Sequence, residues 1–333
     1  MVDVRYYAFP TIITIGGVWA VQDGRIGGES RLEKHCILRS ERGRVAAATG
    51  MVMVGSLGIQ TSSSLSASLF DALGPIPVSS MRMLVAAIVM LALIRPKLAG
   101  RSKGEWLSIV VYGLAMAAMN ICLYSAIDRI PMGVAVTLEF LGPCVVALAG
   151  SHHWREGLCA VVALVGVGLI SFTPGGYFNP SGYLFALGSA CCFGLYTLFA
   201  DKVGKTGTGL DGLALSITVA ALATLPVSVS HATHTTPAQW SVIAASAVLG
   251  VAIPYTMDTL SGRITSARVV GTLFSIDPAM SVVIAALILR QTITLTAVLG
   301  VIVVSLAGAL LVWASGSNDA NGESREASPT EGQ

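Results

Sequence analysis

Charge is what this sequence most conspicuously lacks. Only 11% of its 333 residues are Asp, Glu, Lys or Arg, while 54% are hydrophobic. With a mean hydropathy of +0.75, it has too little polar surface to cover a soluble globule of its length. The chain belongs in lipid. Its 20 basic and 18 acidic residues nearly cancel, and the basic ones are spread over separate loops, which argues against a nucleic-acid partner. Aromatic residues make up 7%. The six cysteines, Cys36, Cys122, Cys144, Cys159, Cys191 and Cys192, have no paired spacing that suggests a disulfide framework or a zinc site, and read as small packing residues. His231 and His234 are spaced for a metal but have no acidic or thiol partners in their polar loop, so no metal site is expected. No nucleophile elbow, Walker loop or dinucleotide fingerprint stands in a strand-to-helix setting. Catalytic residues and a cofactor are therefore not assigned, and ATP hydrolysis by this chain is not supported.

What the sequence does have is long apolar stretches. Ten reach or approach the roughly twenty residues needed to cross the hydrocarbon core. They are Ala46 to Phe70, Val78 to Ile94, Trp106 to Ile127, Met132 to Gly150, Gly157 to Phe172, Gly182 to Ala200, Leu210 to Val229, Trp240 to Leu260, Val269 to Leu289 and Leu295 to Trp313. The expected fold is an all-α polytopic membrane protein. Basic loops resist translocation. Placing both termini in the cytoplasm gathers Arg39, Arg42, Arg44, Arg95, Lys97, Arg101, Lys103, Arg155, Lys202, Lys205, Arg263 and Arg268 on that side, leaving Arg129 and Arg290 opposite.

The second half repeats the first. At one constant spacing Trp106 aligns with Trp240, Asn120 with Pro254, Ile121 with Tyr255, Ser125 with Thr259, Arg129 with Arg263 and Ile130 with Ile264. Leu57, Gly58, Asp71 and Gly74 find counterparts in Leu187, Gly188, Asp201 and Gly204, and Pro143 in Pro278; Glu156 then falls opposite Gln291. Five crossings per copy is an odd number, so the second copy must enter the bilayer inverted. Inverted repeats are an architecture of secondary transporters, with substrate bound near the midplane. The boundaries drawn are 1–45 for a cytoplasmic extension, 46–175 and 181–315 for the two repeats, and 316–333 for a disordered cytoplasmic tail rich in Gly, Ser, Glu and Asn. Within 1–45, Ala8 to Val21 is apolar but short and contains Pro10. An eleventh helix, a partly disordered extension and a start-site artefact remain alternatives.

Glu139 is the most unusual residue, lying about 12 Å inside the fourth stretch. A carboxylate there costs several kcal/mol unless paired, hydrated or protonated. Pro143 cannot donate to the Glu139 carbonyl. In the ninth stretch Pro278 likewise frees the carbonyl of Phe274, with Asp277 beside it. Transporter sites form at such interrupted helices, so Glu139 and Asp277 are candidate proton-coupling groups and Pro143 and Pro278 the helix breaks. The competing account makes both acids structural, paired with Arg82 or with helix ends. Arg82 is a buried cation that could clamp a substrate carboxylate, neutralise Glu139 or snorkel outward. Gln60 and Ser63, in the run Gln60 to Ser64, and Asn120, Tyr124 and Tyr255 are candidate substrate contacts or simply interhelical hydrogen bonds. Asp258 sits near the inner end of the eighth stretch, where hydration accounts for a charge. Gly55, Gly58, Gly166, Gly168, Gly188 and Gly308 read as packing positions.

The run NICLYSAIDRIPMGVAVTLEFLGPCVV from Asn120, with PYTMDTLSGRITSARVVGTLFSIDPAMSVVIAA from Pro254, resembles the EamA branch of the drug/metabolite transporter superfamily, in particular its threonine- and homoserine-exporting members. The likeness covers about residues 40–314 and is strongest at Arg129, Ile130, Pro131, Gly133, Ala135, Val136, Glu139, Phe140, Gly142 and Pro143. It implies ten helices in two inverted EamA repeats, a bacterial inner-membrane location, a central cavity, and proton-driven efflux of small amino acids or related metabolites. The partners implied are that substrate, protons and lipid; a homodimer is left open. Two departures stand out. Asp277 occupies a position where such exporters usually carry glutamate, and Gln291 one where the repeat suggests an acid. A drug or aromatic-metabolite exporter is the rival within transport, for which more cavity aromatics would be expected. A membrane enzyme or a scaffold is the rival outside it.

Overall fold

A computed structural model of the chain describes residues 31–149, 179–204, 210–264, 273–291 and 294–326, with scattered positions between 158 and 169. The chain divides into Met1–Glu41, described only from Arg31 onward as helical backbone, and Arg42–Gln333, which contains every side-chain contact and the cavity described below. Every regular element among the described residues is helical. In order they are α1 (Arg31–Ala67), α2 (Phe70–Leu73), α3 (Pro75–Ile94), α4 (Lys103–Ile127), α5 (Met132–Glu139), α6 (Leu141–Ala149), α7 (Pro180–Gly204), α8 (Leu210–Ala223), α9 (Leu225–Ala232) and α10 (Pro237–Ala247). A π-helical turn, Val248–Ala252, joins α10 to α11 (Ile253–Ile264). A 3-10 turn, Phe274–Ile276, leads into α12 (Asp277–Ile288), and α13 (Leu295–Glu326) ends the described chain.

Local chemistry explains the boundaries. Gly74 at φ 83° and Pro75 open α3, and Arg95 at φ 49° ends it in the left-handed region. The starts of α4 and α10 are built alike. Ser102 accepts from the Glu105 N–H at 3.2 Å while Glu105 accepts from the Ser102 N–H at 2.7 Å. Thr236 and Gln239 reproduce this pair at 3.3 and 2.8 Å. Both are capping boxes, satisfying donors that a helix start leaves unpaired, and each stands just before a tryptophan, Trp106 in one case and Trp240 in the other.

The bundle is inside out relative to a soluble protein. Ser62, Ser64, Ser80, Ser189, Ser216, Ser246 and Ser281 are wholly buried, while Leu93 is 72% exposed and Leu184 and Leu287 are each 71% exposed. Polar groups inside and leucines outside suit hydrocarbon surroundings. Four described helical stretches are long and apolar enough to cross a membrane: Pro75–Ile94, Lys103–Ile127, Pro180–Ala200 and Pro237–Ser261. Leu210–Ala223 and Leu225–Ala232 make a fifth if their 63° bend lies within one span. The sequence suggests a single stretch there, but Pro226 cannot donate to the Leu222 carbonyl, and the helix breaks at Thr224. Met132–Val146, Phe274–Ile288 and Leu295–Leu310 are apolar but shorter. The expected fifth stretch, Gly157 to Phe172, lies largely outside the described residues. Two expected ends also shift. Helix α1 begins at Arg31 rather than near Ala46, and α13 continues to Glu326, into the tail expected to be disordered.

Glycines bring the helices close enough to share polar groups. A Cβ on Gly58 would strike the Leu249 carbonyl oxygen, and one on Gly55 would lie 3.6 Å from the Pro254 Cα, so α1 rests directly on the π turn. That turn has a cause. Pro254 has no N–H to offer and the Ile253 N–H bonds to the Val248 carbonyl, so neither residue supplies a donor to Leu249, whose oxygen turns toward Gly58.

Candidate functional site

A cavity opens where the broken helices meet. Its walls include Gln60 and Ser63 of α1, Arg82 of α3, Asn120 of α4, Val136 and Glu139 of α5, Phe193 and Tyr196 of α7, Gly250 of the π turn, Tyr255 and Asp258 of α11, and Asp277 of α12. Both expected breaks are present. Helix α5 stops at Glu139 and α6 restarts at Leu141, two residues ahead of Pro143, while Pro278 stands in the first turn of α12 after the 3-10 turn. A proline removes the donor four residues downstream of a carbonyl, and the chain kinks where that bond is missing.

Glu139 is 7% exposed and accepts a hydrogen bond from the Ser189 hydroxyl at 2.5 Å. The same hydroxyl lies 3.0 Å from the Met119 carbonyl. One proton cannot serve both acceptors. With Glu139 ionised, Ser189 donates to the carboxylate; with Glu139 protonated, the acid can donate to Ser189, whose own proton turns to Met119. This serine therefore satisfies either protonation state of the acid.

The structure bears on two of the alternatives for Arg82, the Glu139 ion pair and the outward reach. Its guanidinium neither snorkels out nor pairs with Glu139: among the described residues no ion pair within 4.0 Å reaches it. Instead Nη1 donates to the Ser62 hydroxyl at 3.0 Å, Nη2 donates to the Asn120 side-chain oxygen, and Cζ lies 4.7 Å over the Tyr124 ring. Ser62 and Ser66 both bond to Ser246, at 2.9 and 2.6 Å, and the Tyr124 hydroxyl donates to Ser66 at 3.0 Å. A continuous buried chain of hydrogen bonds thus joins α1, α3, α4 and α10. Gly250 permits it, since a Cβ there would collide with Ser62 and come within 3.0 Å of Nη1.

Of the expected substrate contacts, Gln60, Ser63, Arg82, Asn120 and Tyr255 line the cavity together. Tyr124 does not. It lies one turn beyond Asn120, wholly buried, with its hydroxyl committed to Ser66. Glu139 and Asp277 both reach the cavity, joined by Asp258, for which the hydrated end of its helix is the expectation from sequence. A signal for it exists: Tyr255 and Asp258 are three apart and so share a helix face. Phe193 and Tyr196 escape the sequence reasoning altogether. The three acids line one cavity without forming a group able to hold a metal ion among the described residues.

Three buried polar atoms on this wall have no hydrogen-bond partner among the described residues: Arg82 Nε, Gln60 Oε1 and Asp277 Oδ1. Unmet buried polar groups are costly and mark places where a ligand or water is accommodated. One is a donor on a cation and two are acceptors, so the site offers complements to both ends of a zwitterion.

Gln291 is not part of the cavity. Its side-chain oxygen accepts from the Met132 N–H at 3.2 Å, capping α5 from the far end of α12 because Pro131 brings no side-chain acceptor. Loss of this cap in Gln291→Ala is expected to cost about 1 kcal/mol in equilibrium unfolding in detergent, with Gln291→Glu, which keeps an acceptor, recovering most of it.

Helices that are polar inside, apolar outside and broken by prolines around a cavity with ionisable walls define a membrane transporter. The chain belongs to the EamA-like transporter family, whose model matches it twice, at residues 44–172 and 180–314. The resemblance carried by the runs from Asn120 and Pro254 therefore holds. Among its relatives, the threonine/homoserine exporter RhtA of Escherichia coli K12 is 30% identical over 251 residues, covering 73% of this chain and 84% of its own. The protein of that name from Salmonella typhimurium SL1344 is 29% identical over the same length and shares. A solved structure, titled only as the crystal structure of a protein, matches at a TM-score of 0.54 and 18% identity, covering 81% of this chain and 99% of its own. That match speaks for the fold alone.

Proposed function

We propose that this protein is a bacterial inner-membrane secondary transporter that exports small amino acids of the threonine and homoserine type, or related metabolites, by proton-coupled alternating access. The observation that carries this is the pairing, on one cavity wall, of an unpartnered guanidinium N–H at Arg82 with an unpartnered carboxylate oxygen at Asp277. A cargo carboxylate meets the first, and the second is open to the coupled proton. The names of the relatives point the same way. Gln60, Ser63, Asn120 and Tyr255 bind the cargo beside Arg82, with Tyr124 holding the Arg82 plane from behind. Glu139 and Asp277 exchange protons, and Ser189 serves Glu139 in both of its states.

Ten crossings in two inverted repeats, with both termini cytoplasmic, give this cycle its symmetry. That architecture requires the shorter and broken helices to cross as well as the long ones. The matched capping boxes before Trp106 and Trp240 and the two tandem family matches support it. Cysteine labelling from either side of the membrane at the Ser102 and Thr236 turns tests it: the two should react from opposite faces.

A second reading has an observation behind it. The chain is poor in aromatics, yet Phe140, Phe193, Tyr196, Tyr255 and Phe274 all line the cavity, as an exporter of aromatic metabolites or drugs would require. Radiolabelled threonine counterflow into vesicles holding the purified protein separates the two. Threonine and homoserine are expected to compete with the label and aromatic solutes to leave it unchanged; inhibition by aromatic solutes alone would transfer the assignment to the second reading.

A further inference from the structure

Outside the Arg82 network, the cavity has a second wall to which neither proton coupling nor carboxylate binding assigns a role. Tyr112, Tyr196 and Tyr255 form a connected row of tilted rings, with centroids 4.9 Å apart between the first two and 6.0 Å between the last two, and Phe193 lies 5.6 Å from Tyr196. Three helices, α4, α7 and α11, supply these rings. Tyr196 and Tyr255 line the cavity together with Asp258. Asp258 lies against α1 at Gly55, where a Cβ would stand in ordinary contact, 3.5 Å from Asp258 Oδ1. No hydrogen bond or ion pair engages the Asp258 carboxylate among the described residues. Gln60, 1% exposed, stands five residues beyond Gly55, roughly 7.5 Å further along α1, with its side-chain oxygen unpartnered.

A carboxylate, an amide oxygen with no partner among the described residues and two electron-rich tyrosine rings share one chemical preference. Each attracts a positive charge. Aromatic faces hold ammonium groups through their quadrupole, most strongly where water is excluded. We propose that Asp258, with the rings of Tyr196 and Tyr255 and the oxygen of Gln60, forms a subsite for the ammonium group of the cargo, and that this subsite sets the requirement for a free amine. The inference rests on the exporter reading for the identity of the cargo, but not for the binding chemistry. It assigns the aromatic wall to an amine rather than to an aromatic solute. It also gives two acids different roles, since Asp258 holds the amine and leaves Asp277 free to exchange a proton.

The test is direct binding to the full-length protein in detergent, which requires no transport. The probes are propylammonium, tetramethylammonium and N-acetylthreonine, the last lacking the charged amine. The wild-type protein is expected to bind both ammonium ions. Asp258→Asn is expected to weaken both by about tenfold or more, Tyr196→Leu to weaken tetramethylammonium by about tenfold, and Tyr196→Phe, which keeps the ring face, to retain it. N-acetylthreonine should bind no more tightly to the wild type than to Asp258→Asn. Absence of ammonium binding by the wild type, or unchanged ammonium affinity in a monodisperse Asp258→Asn protein, overturns the proposal. Should Asp258→Asn fail to fold, Tyr196→Leu against Tyr196→Phe decides alone, equal affinities counting against it. A wild type that binds ammonium through Asp258 yet moves no threonine would leave this subsite standing and remove the exporter reading instead.

Discussion

Glu139→Gln is expected to abolish efflux driven by a pH gradient while sparing exchange of labelled for unlabelled cargo. The side chain stands at the end of α5, buried, with the Ser189 hydroxyl at 2.5 Å and the Met119 carbonyl as that hydroxyl's alternative acceptor. Glutamine has the shape of a protonated glutamic acid and can donate to Ser189 through its amide, so the packing around α5 and α7 is preserved. What it cannot do is release a proton. Net proton-linked movement needs the acid to change state during the cycle, whereas exchange without net proton flow does not. Proteoliposomes with and without an imposed pH gradient measure the difference directly, and gradient-driven efflux at the wild-type rate in Glu139→Gln would remove Glu139 from the coupling mechanism. Ser189→Ala is expected to slow gradient-driven efflux without abolishing it, because the acid survives but loses the partner that suits both of its states.

The second large effect is steric. Gly142→Ala is expected to destabilise the protein by about 3 kcal/mol or to prevent its recovery in monodisperse form, at the upper end of overpacking costs. A Cβ at Gly142 would run into the Ala190 carbonyl oxygen, lie 2.9 Å from its carbon and come within 3.0 Å of the Gly194 nitrogen. All of these are backbone atoms, so no side chain can rotate away, and α6 and α7 must separate instead. The crossing is next to Ser189 and one turn from Glu139, so any protein that does fold should also show weakened dependence on the pH gradient. Gly188→Ala provides the contrast. Its Cβ meets only the Cys122 sulfur, at 3.4 Å, and the substitution should leave thermal unfolding in detergent nearly unchanged. Equal behaviour of the two variants would show that the α6–α7 approach tolerates a methyl group.

Much of the cavity lining is legible in the residues, for a physical reason. Glu139 and Asp277 beside their prolines can be read because a missing N–H acts on a carbonyl only four residues away, within the same helix. Pro226 and Pro254 act by the same rule without an acid to draw attention to them: the first bends α8 against α9, and the second produces the π turn at Val248–Ala252. Arg82 is legible as a buried cation, but its partners are not. An ion pair with Glu139 is a fair expectation from charge alone, yet Ser62 and Asn120, both neutral, take its donors. The sparse aromatic content points away from an aromatic cavity, whereas the fold gathers five of those few rings around it.

The order of amino acids alone determined that this chain lives in lipid, that it is helical, and that its helices break beside buried acids. Hydropathy and the lost proline donor are properties of neighbouring residues and need no knowledge of what lies across the bundle. Only the tertiary structure decided that Asp258 faces the cavity and Tyr124 does not, that Ser189 serves Glu139, and that Gln291 caps α5. Those outcomes depend on the rotation and approach of helices distant in sequence. Contacts at Gly58 and Gly142, where backbone meets backbone, and at Gly250, against Ser62 and Arg82, set that geometry.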